Sequence, residues 1–352
     1  MKLGFIVGKV YEICDNEELR KLTPKKYLRD TWGYTKLLKD RLHVDVAIAM
    51  TVKLKFPGHT VDIILPREID VARLKQNDIN FVLGFDYISI IEKFPLVRKF
   101  QGDKGKQLLR DIYKNPNSKI FPPYKHQNFI WNKQSYLTTF QKAGVPINPT
   151  LFINQKVNIP KLIQQIKQKK WSQFIIKPIG GSCGLGCDFF TLSDVEESPG
   201  LLLDYFVENS ESYTDYLVQQ ITLGFKQYGE IKSFWIGGKF SYAINTKGSS
   251  DDPTVVPVTD KKELTQCKKL GTQVVEAIPP LFFQGKKTTP VMTRIDMLCC
   301  LNNKPKSRGK YFLNEIEEGG LAGSYTDFKG IDYPIVEVMA DAYVKKAEEL
   351  LN

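Results

Sequence analysis

The chain has 352 residues, of which 42% are hydrophobic and 25% charged, and its formal net charge is +11. This composition excludes collagen-like, coiled-coil and wholly disordered chains, and the length allows two or three domains. No apolar run approaches the ~18 residues of a membrane helix, so we expect a cytoplasmic protein with no membrane partner.

Positive charge is concentrated in the first half of the chain. Residues 1–176 contain 31 Lys and Arg against 15 Asp and Glu, whereas the remainder is slightly acidic. This asymmetry favours an anionic partner or substrate, although a solvated lysine-rich surface explains it equally well. Six cysteines and three histidines show no Cys-x-x-Cys pair and no zinc-ligand spacing, so we expect reduced thiols and no zinc site.

The first part of the chain alternates strand-like and helix-like segments. Short apolar runs predict buried strands, an apolar period of 3.6 predicts a helix, and their alternation predicts an open α/β domain. Two consecutive prolines, Pro122 and Pro123, forbid a continuing helix, so we expect this domain to span residues 1–125. The predicted strands are Leu3–Gly8, Val44–Met50, Val61–Leu65 and Ile79–Leu83, and the predicted helix is Leu28–Leu42.

The remainder of the chain predicts a mixture of helices and strands. A helix should begin after Asn132 as N-cap and end near Gly144, and a second helix should carry an apolar stripe from Ile159 to Ile166. Gly237 and Gly238 predict a hairpin turn. The predicted strands are Gln173–Pro178, a pair formed by Tyr216–Ile221 and Ile231–Ile236, then Lys239–Asn245, Val291–Leu298 and Lys310–Ile316, before an amphipathic helix over Val336–Leu350.

A lysine and a glycine-rich loop form the strongest local motif. Lys177 lies at the end of the strand Gln173–Pro178, and the segment Gly180–Gly186 has four glycines in seven positions. Glycine lets backbone N–H groups approach a polyphosphate, and the lysine supplies the matching charge. The motif is neither a Walker loop nor a dinucleotide fingerprint, and taken alone it is equally compatible with a flexible hairpin.

Acidic and basic side chains alternate along two later strands. Arg294 and Asp296 share a face of one strand, and Glu315 and Glu317 share a face of the next, because side chains two residues apart point the same way. Three carboxylates that converge across paired strands would form an oxygen site for Mg²⁺. The alternative is ordinary alternating charge on a solvent-facing strand.

Together these motifs resemble the ATP-grasp superfamily over residues 126–330, in particular its carboxylate–amine ligases, such as D-alanine–D-alanine ligase, glutathione synthetase and the peptide-tail glutamate ligases. The resemblance implies α/β and α+β architecture: an ATP-grasp fold preceded by an open α/β, pre-ATP-grasp domain. The phosphate loop would lie in a small subdomain, residues 126–216, and the metal site in a carboxy-terminal subdomain, residues 217–352. The implied cofactors are ATP and one or two Mg²⁺ ions, with Mn²⁺ as a substitute.

The resemblance also implies roles for individual residues, carried over position by position. The residues implied in nucleotide binding are Lys133, Lys177, Gly181, Ser182, Gly184 and Gly186, together with Gln219, Gln220 and Ile221 of a hinge strand. The implied metal ligands are Asp296, Glu315 and Glu317. The resemblance implies catalytic roles for Arg294 and Lys232.

The chain departs from the superfamily's pattern at two positions of this site. Glu317 stands where asparagine is usual, and its extra negative charge would tighten metal binding or accompany a different substrate. Lys232 stands where many relatives have arginine, which removes a bidentate grip on a phosphate or carboxylate. The loop Lys247–Thr254 also lacks the arginine and asparagine of some peptide-tail ligases.

The resemblance implies a ligase that joins a carboxylate to an amine through an acylphosphate. The expected partners are small amino-acid, peptide or other carboxylate substrates and no nucleic acid, with a homodimer if the chain pairs as related ligases do. Two alternatives stay open. One is a small-molecule kinase on the same fold, as in inositol phosphate kinases, which the basic first half would suit, and the other is a non-catalytic nucleotide-binding module like the synapsins.

Overall fold

The computed structural model describes residues 1–8, 12–28, 41–84, 97–180, 184–248, 253–299, 311–318 and 323–352. The helix predicted over Leu28–Leu42 lies almost entirely outside the described residues, as do Gly181 and Ser182 of the glycine-rich loop. Within the described ranges, no helix is both long enough and apolar enough to cross a membrane.

Four parallel strands form the first sheet, in the order β2-β1-β3-β4. Its central strand β1 pairs with β2 from Lys2 opposite Thr60 and with β3 from Leu3 opposite Ile79. The predicted open α/β arrangement is therefore confirmed. The strands are β1 Lys2–Ile6, β2 Thr60–Ile64, β3 Ile79–Val82 and β4 Ile120–Phe121.

Helices and short 3₁₀ turns connect and flank this sheet. The peptide bond between Phe121 and Pro122 is cis, and a new helix starts directly after Pro123. The helices are α1 Glu17–Leu22, α2 Lys25–Leu28, α3 Val44–Lys55, α4 Val71–Leu74, α5 Gly102–Lys114 and α6 Tyr124–Trp131, and the 3₁₀ turns are Pro66–Glu68, Arg98–Phe100 and Pro116–Ser118.

The segment Val44–Met50 belongs to helix α3, so the strand predicted there is wrong. Every residue of this segment is buried, because α3 packs against β2 on one side and against the last helix of the chain on another. A helix covered on several sides needs no polar stripe, and its sequence then shows no 3.6 period. A short apolar run cannot by itself distinguish such a helix from a buried strand.

A second sheet has four antiparallel strands in the order β5-β8-β6-β7. The predicted N-cap is confirmed, since Asn132 Oδ1 accepts a hydrogen bond from the Ser135 N–H at 2.8 Å. Gly144, just beyond the end of that helix, has a φ of +79°. The strands are β5 Thr150–Asn154, β6 Gln173–Pro178, β7 Asp188–Thr191 and β8 Asp215–Gln220, and the helices are α7 Lys133–Lys142, α8 Ile159–Gln168, α9 Leu192–Glu197 and α10 Gly200–Asn209.

The third sheet is antiparallel, has five strands, and follows the order β11-β10-β9-β14-β15. The Gly237-Gly238 hairpin joins β9 to β10 as predicted. The strands of this sheet are β9 Glu230–Ile236, β10 Lys239–Gly248, β11 Pro253–Pro257, β14 Met292–Cys299 and β15 Tyr311–Glu318. A separate two-stranded ribbon consists of β12 Leu281–Phe283 and β13 Lys286–Thr288. The helices are α11 Leu223–Tyr228, α12 Lys261–Ala277 and α13 Ile335–Leu351.

The predicted pairing of Tyr216–Ile221 with Ile231–Ile236 is wrong, although both segments are strands. β8 lies between β5 and β6 in the second sheet, and β9 lies between β10 and β14 in the third. Because both edges of each strand already have partners, the two strands cannot pair with each other. Helix α11 connects them across the boundary between the sheets.

The last helix, α13, packs on the first sheet. The ring of Tyr343 lies 5.8 Å from the ring of Phe5 and 4.9 Å from that of Phe81, measured between centroids. Both phenylalanines are fully buried. The end of the chain therefore completes the core of its beginning, and the same hydrophobic cluster includes Phe234 and Ile244 of the third sheet.

Candidate active site

Three carboxylates converge on one face of the third sheet. In the antiparallel pair β14–β15, Asp296 lies opposite Glu315, and Arg294 lies opposite Glu317. Asp296, Glu315 and Glu317 each place one carboxylate oxygen within 4.8 Å of the others. The two-residue alternation in each strand thus becomes a compact acidic cluster.

Two lysines from different parts of the chain bind this cluster. Lys133 Nζ lies 2.8 Å from Glu315 Oε1, and Lys232 Nζ lies 2.8 Å from Asp296 Oδ2. Lys177, near the end of β6, lies within electrostatic range of Glu315. The structure therefore brings lysines from earlier parts of the chain and the acidic residues near its end to a single site.

Arg294 contacts two of the three carboxylates. Its Nε and Nη2 atoms lie 2.8 Å from the two oxygens of Asp296, which makes the contact bidentate. Nη2 also lies 2.8 Å from Glu317 Oε2. Arg294 and Asp296 share one face of β14, whereas Glu317 reaches Arg294 from the neighbouring strand β15.

Lys133 is positioned by the start of helix α7. Asn132 caps this helix, and the backbone N–H of Lys133 donates a hydrogen bond to the carbonyl of Ile179 at 3.3 Å. Ile179 directly follows β6, the strand that carries Lys177. This contact fixes the first turn of α7 beside the segment that leads into the glycine-rich loop.

Two glycines of that loop adopt a backbone conformation that favours glycine. Gly184 and Gly186 have φ values of +71° and +69°. A Cβ atom on Gly186 would lie 2.7 Å from Pro178 and 2.9 Å from Tyr213, so this position also has no room for a side chain. The Tyr205 hydroxyl donates to the Gly186 carbonyl at 2.6 Å and fixes the end of the loop.

Of the three predicted hinge residues, Gln219 and Gln220 end β8 and Ile221 follows it, and all three form hydrogen bonds. Gln219 is buried, and its Nε2 donates to Thr150 Oγ1 at 3.0 Å. The Ile221 N–H donates to Gln173 O at 3.0 Å, and the Gln220 carbonyl accepts from Asn148 Nδ2 at 3.1 Å. A carbonyl oxygen can accept a second hydrogen bond, whereas the Ile221 N–H is committed in this conformation.

Comparison with known proteins identifies the fold. No protein-family model matches the sequence, and no curated protein matches it. Among solved structures, the D-cycloserine synthetase DcsG matches with a TM-score of 0.63 and 13% identity, covering 99% of this chain and 100% of the other. The ATP-grasp ligase PsnB, in complex with a phosphomimetic variant of its minimal precursor, Mg and ADP, matches with a TM-score of 0.60 and 10% identity over 98% of both chains. This chain has the ATP-grasp fold.

A third structure that shares the ATP-grasp fold is D-alanine–D-alanine ligase from Bacillus anthracis in complex with ATP. Its TM-score is 0.58 at 12% identity, and the match covers 99% of this chain and 98% of that ligase. The matches run through the amino-terminal sheet as well as the two later ones. The fold predicted from the resemblance is therefore confirmed over nearly the whole chain.

The charges of the ATP-grasp cleft shift each other's pKa values. Burial alone would raise the pKa of Asp296, but Arg294 and Lys232 lower it below its usual range. Burial also opposes the ionisation of Glu315, yet Lys133 and Lys177 lower its pKa.

Glu317 behaves differently from the other two carboxylates. Burial, with added repulsion from Glu315 and Asp296, raises the pKa of Glu317 to about 8 despite the attraction of Arg294. The position at which this chain departs from the superfamily's asparagine therefore carries the least stable negative charge of the cluster.

Glu230 is a site residue that the sequence analysis did not identify. Its carboxylate accepts hydrogen bonds from Lys232 Nζ and, at 2.7 Å, from Asn314 Nδ2. Asn314 is the additional residue of a β-bulge, because Asp296 pairs with Glu315 whereas Met297 pairs with Leu313. Glu230 and Lys232 are two residues apart on one strand, so the alternation rule could have identified Glu230.

A contact between the two ends of the chain lies beside the acidic cluster. The Glu12 carboxylate accepts hydrogen bonds from Ser324 Oγ and from the Tyr325 N–H, each at 2.5 Å. The Tyr325 ring lies 5.8 Å from the Arg294 guanidinium and 5.9 Å from Lys232 Nζ. No local pattern in the sequence indicates a contact between residues more than 300 positions apart.

The donor set fits a hard divalent cation. The cluster offers three carboxylates on adjoining strands and contains neither a thiolate nor an imidazole, which is the donor chemistry that Mg²⁺ and Mn²⁺ prefer. Asp296, Glu315 and Glu317 would hold such an ion. Lys133, Lys232 and Arg294 surround it with positive charge suited to phosphate oxygens.

Proposed function

We propose that the chain is an ATP- and Mg²⁺-dependent ligase that joins a carboxylate to an amine through an acylphosphate and releases ADP. The observation that carries the proposal is the cluster of Asp296, Glu315 and Glu317 in contact with Lys133 and Arg294 within one cleft of an ATP-grasp fold. Two solved structures with this fold are a ligase in complex with ATP and a ligase in complex with Mg and ADP, which supports the same cofactors here.

The cationic side chains would bind the phosphates. Lys133 and Lys177 approach Glu315 from the second sheet, where the glycine-rich loop begins, so they are placed for the phosphate oxygens of ATP. Arg294 would bind the transferred phosphoryl group with its planar guanidinium. Adenine would lie at the hinge formed by Gln219, Gln220 and Ile221, and Gly184 and Gly186 would let the loop backbone approach the phosphates.

The reaction would proceed in two displacements. A substrate carboxylate oxygen bonds to the γ-phosphorus as the bond to the β,γ-bridging oxygen breaks, which gives an acylphosphate and ADP. The amine nitrogen then bonds to the acyl carbon, phosphate leaves, and the amine loses a proton. A bound Mg²⁺ ion would neutralise phosphate charge, and Lys232 and Arg294 would stabilise the charge that develops on the transferred group.

Hydroxylamine provides a test that needs no knowledge of the natural amine. It attacks acylphosphates and yields hydroxamates, so the purified protein should form a hydroxamate and ADP when it is supplied with ATP, Mg²⁺, hydroxylamine and pools of amino acids or peptides. Asp296→Asn should reduce this turnover by at least ~10²-fold, because it removes a proposed metal ligand and a partner of Arg294.

Three results would contradict the proposal. A phosphorylated product that survives hydroxylamine would indicate a small-molecule kinase on the same fold. Tight binding of AMP-PNP without ADP formation from any pool would indicate a non-catalytic module. Equal turnover in the wild type and Asp296→Asn would show that the carboxylate cluster is not the site of the reaction.

A further inference from the structure

Tyr136 carries a buried hydroxyl that has no hydrogen-bond partner among the described residues. The side chain lies on α7, one turn after Lys133, and only 1% of the residue is exposed. The backbone N–H of Ile316 lies close enough to lower the pKa of the phenol. That group is itself a donor, so the hydroxyl proton still needs an acceptor.

The surroundings of this hydroxyl are the metal-site carboxylates. Burial raises the pKa of Tyr136 most, and Glu315, Glu317 and Asp296 raise it further, which shows that all three carboxylates lie within electrostatic range. Ile316, whose backbone faces the phenol oxygen, stands between Glu315 and Glu317 in the sequence. The hydroxyl therefore points at the strand segment that carries two of the three proposed ligands.

An unpaired buried hydroxyl costs free energy, and phenylalanine would fill almost the same space without that cost. The tyrosine is therefore best explained if its hydroxyl finds a hydrogen-bond acceptor in another conformation of the site. The candidate is Glu315, because Lys133, one turn before Tyr136 on α7, already contacts this carboxylate at 2.8 Å. In the present arrangement Glu315 Oε1 accepts from Lys133.

We propose that Tyr136 is a positioning residue of the metal site. Its hydroxyl donates a hydrogen bond to the Glu315 carboxylate when that carboxylate binds a divalent ion, and this hydrogen bond fixes the orientation of the ligand. Such hydrogen bonds to a ligating carboxylate typically contribute a factor of ~10–100 to metal affinity. The inference rests on the proposed function only in requiring that the acidic cluster binds a divalent cation.

The test measures Mn²⁺ binding rather than turnover. The dissociation constant of Mn²⁺, measured by the EPR signal of the free ion with and without AMP-PNP, should rise about tenfold in Tyr136→Phe. The thermal unfolding temperature without added metal should stay the same or rise, because the substitution removes an unsatisfied buried hydroxyl. If Tyr136 has a purely structural role, Tyr136→Phe should lower the metal-free unfolding temperature and leave the dissociation constant of Mn²⁺ unchanged.

Tyr311→Phe is the matched control. Tyr311 lies on β15, the strand that carries Glu315 and Glu317, but its hydroxyl donates to Glu263 Oε1 at 2.7 Å. This variant should lower the unfolding temperature and leave Mn²⁺ affinity unchanged. Wild-type Mn²⁺ affinity in Tyr136→Phe would overturn the proposal, as would a fall in its metal-free unfolding temperature as large as that of Tyr311→Phe.

The test also separates this proposal from the proposed function. If the wild type binds Mn²⁺ and Tyr136→Phe binds it more weakly, while no amide or hydroxamate forms, the positioning role stands and the ligase function fails. If hydroxamate forms and both proteins bind Mn²⁺ equally, the ligase function stands and the positioning role fails. A wild type that binds no Mn²⁺ even with AMP-PNP overturns both.

Discussion

Lys232 and Asp296 face each other across the neighbouring strands β9 and β14, with the ammonium nitrogen 2.8 Å from Oδ2 of the carboxylate. The two side chains are 9% and 2% exposed. Arg294 binds the same carboxylate from its own strand. A buried negative charge is thus held between two buried positive charges, so removing either positive charge would leave the carboxylate less compensated.

Removing Lys232 should destabilise the protein. In Lys232→Met, Asp296 and Glu230 each lose a buried cationic partner, and leaving buried charges without compensation typically costs ~3–5 kcal/mol. Arg294 still binds Asp296, so we expect a loss of about 2–4 kcal/mol in the free energy of unfolding, measured by urea denaturation.

The exposed pair Lys55–Asp341 provides the control for this substitution. Its side chains are 46% and 52% exposed, so Lys55→Met should change the free energy of unfolding by less than about 1 kcal/mol. If the two variants lose similar amounts, burial is not what gives the Lys232–Asp296 pair its strength.

Gly186 and Gly184 make a second matched pair. Both have positive φ, but a Cβ on Gly186 would collide with Pro178 and Tyr213, whereas a Cβ on Gly184 meets nothing within 4 Å among the described residues. Gly184→Ala should cost only the left-handed backbone penalty of about 1 kcal/mol. Gly186→Ala should cost clearly more and should weaken AMP-PNP binding, which thermal unfolding and calorimetric titration would measure. If the two variants lose the same stability and AMP-PNP affinity, Pro178 and Tyr213 must move enough to accommodate a side chain at Gly186.

Much of the site follows from local rules in the sequence. The alternation of charges in β14 and β15 was enough to place Arg294 with Asp296 and Glu315 with Glu317, because strand geometry fixes which side chains share a face. The Asn132 cap likewise fixed the start of the helix that carries Lys133. These features depend on residues close together in the chain, and the structure agrees with them.

Features that depend on distant packing were missed. The segment Val44–Met50 reads as a strand because the helix it forms is covered by β2 and α13, and α13 lies almost 300 residues later. The partners of β8 and β9 depend on which sheet edges are already filled, and the sequence does not encode this locally. The contact of Glu12 with Ser324 has the same origin.

Asp45 should make stability depend on pH. Its buried carboxylate accepts hydrogen bonds from the backbone N–H groups of Gly8 and Val46, each at 2.8 Å, yet burial raises its pKa from 3.8 to about 7. Between these values the folded state binds more protons than the unfolded state. The contribution of Asp45 to the free energy of unfolding is therefore fully present below pH 4 and is lost as pH rises towards 7, at up to ~1.4 kcal/mol per pH unit.

Asp45→Asn isolates this contribution, because the amide oxygen can still accept a hydrogen bond but carries no titrating charge. The difference in the free energy of unfolding between Asp45→Asn and the wild type should move in favour of the variant by about 2–3 kcal/mol between pH 4.5 and pH 7. Urea denaturation at several pH values would measure it. Asp341→Asn, at an exposed position, should show no such trend, and parallel profiles for Asp45→Asn and the wild type would contradict the prediction.

Glu230→Gln should separate catalysis from nucleotide binding. Glutamine still accepts the hydrogen bond from Asn314 Nδ2, but it removes the charge that holds Lys232 Nζ opposite Asp296. A small displacement of a catalytic group can cost up to ~10²-fold in rate. Because Asp296 still holds the ammonium, we expect hydroxamate formation to fall about tenfold while the dissociation constant of AMP-PNP changes less than twofold. Glu196→Gln, which breaks the surface pair with Lys167, should change neither value. Unchanged turnover in Glu230→Gln, or a loss that weaker AMP-PNP binding fully explains, would show that Glu230 does not position Lys232 for the reaction.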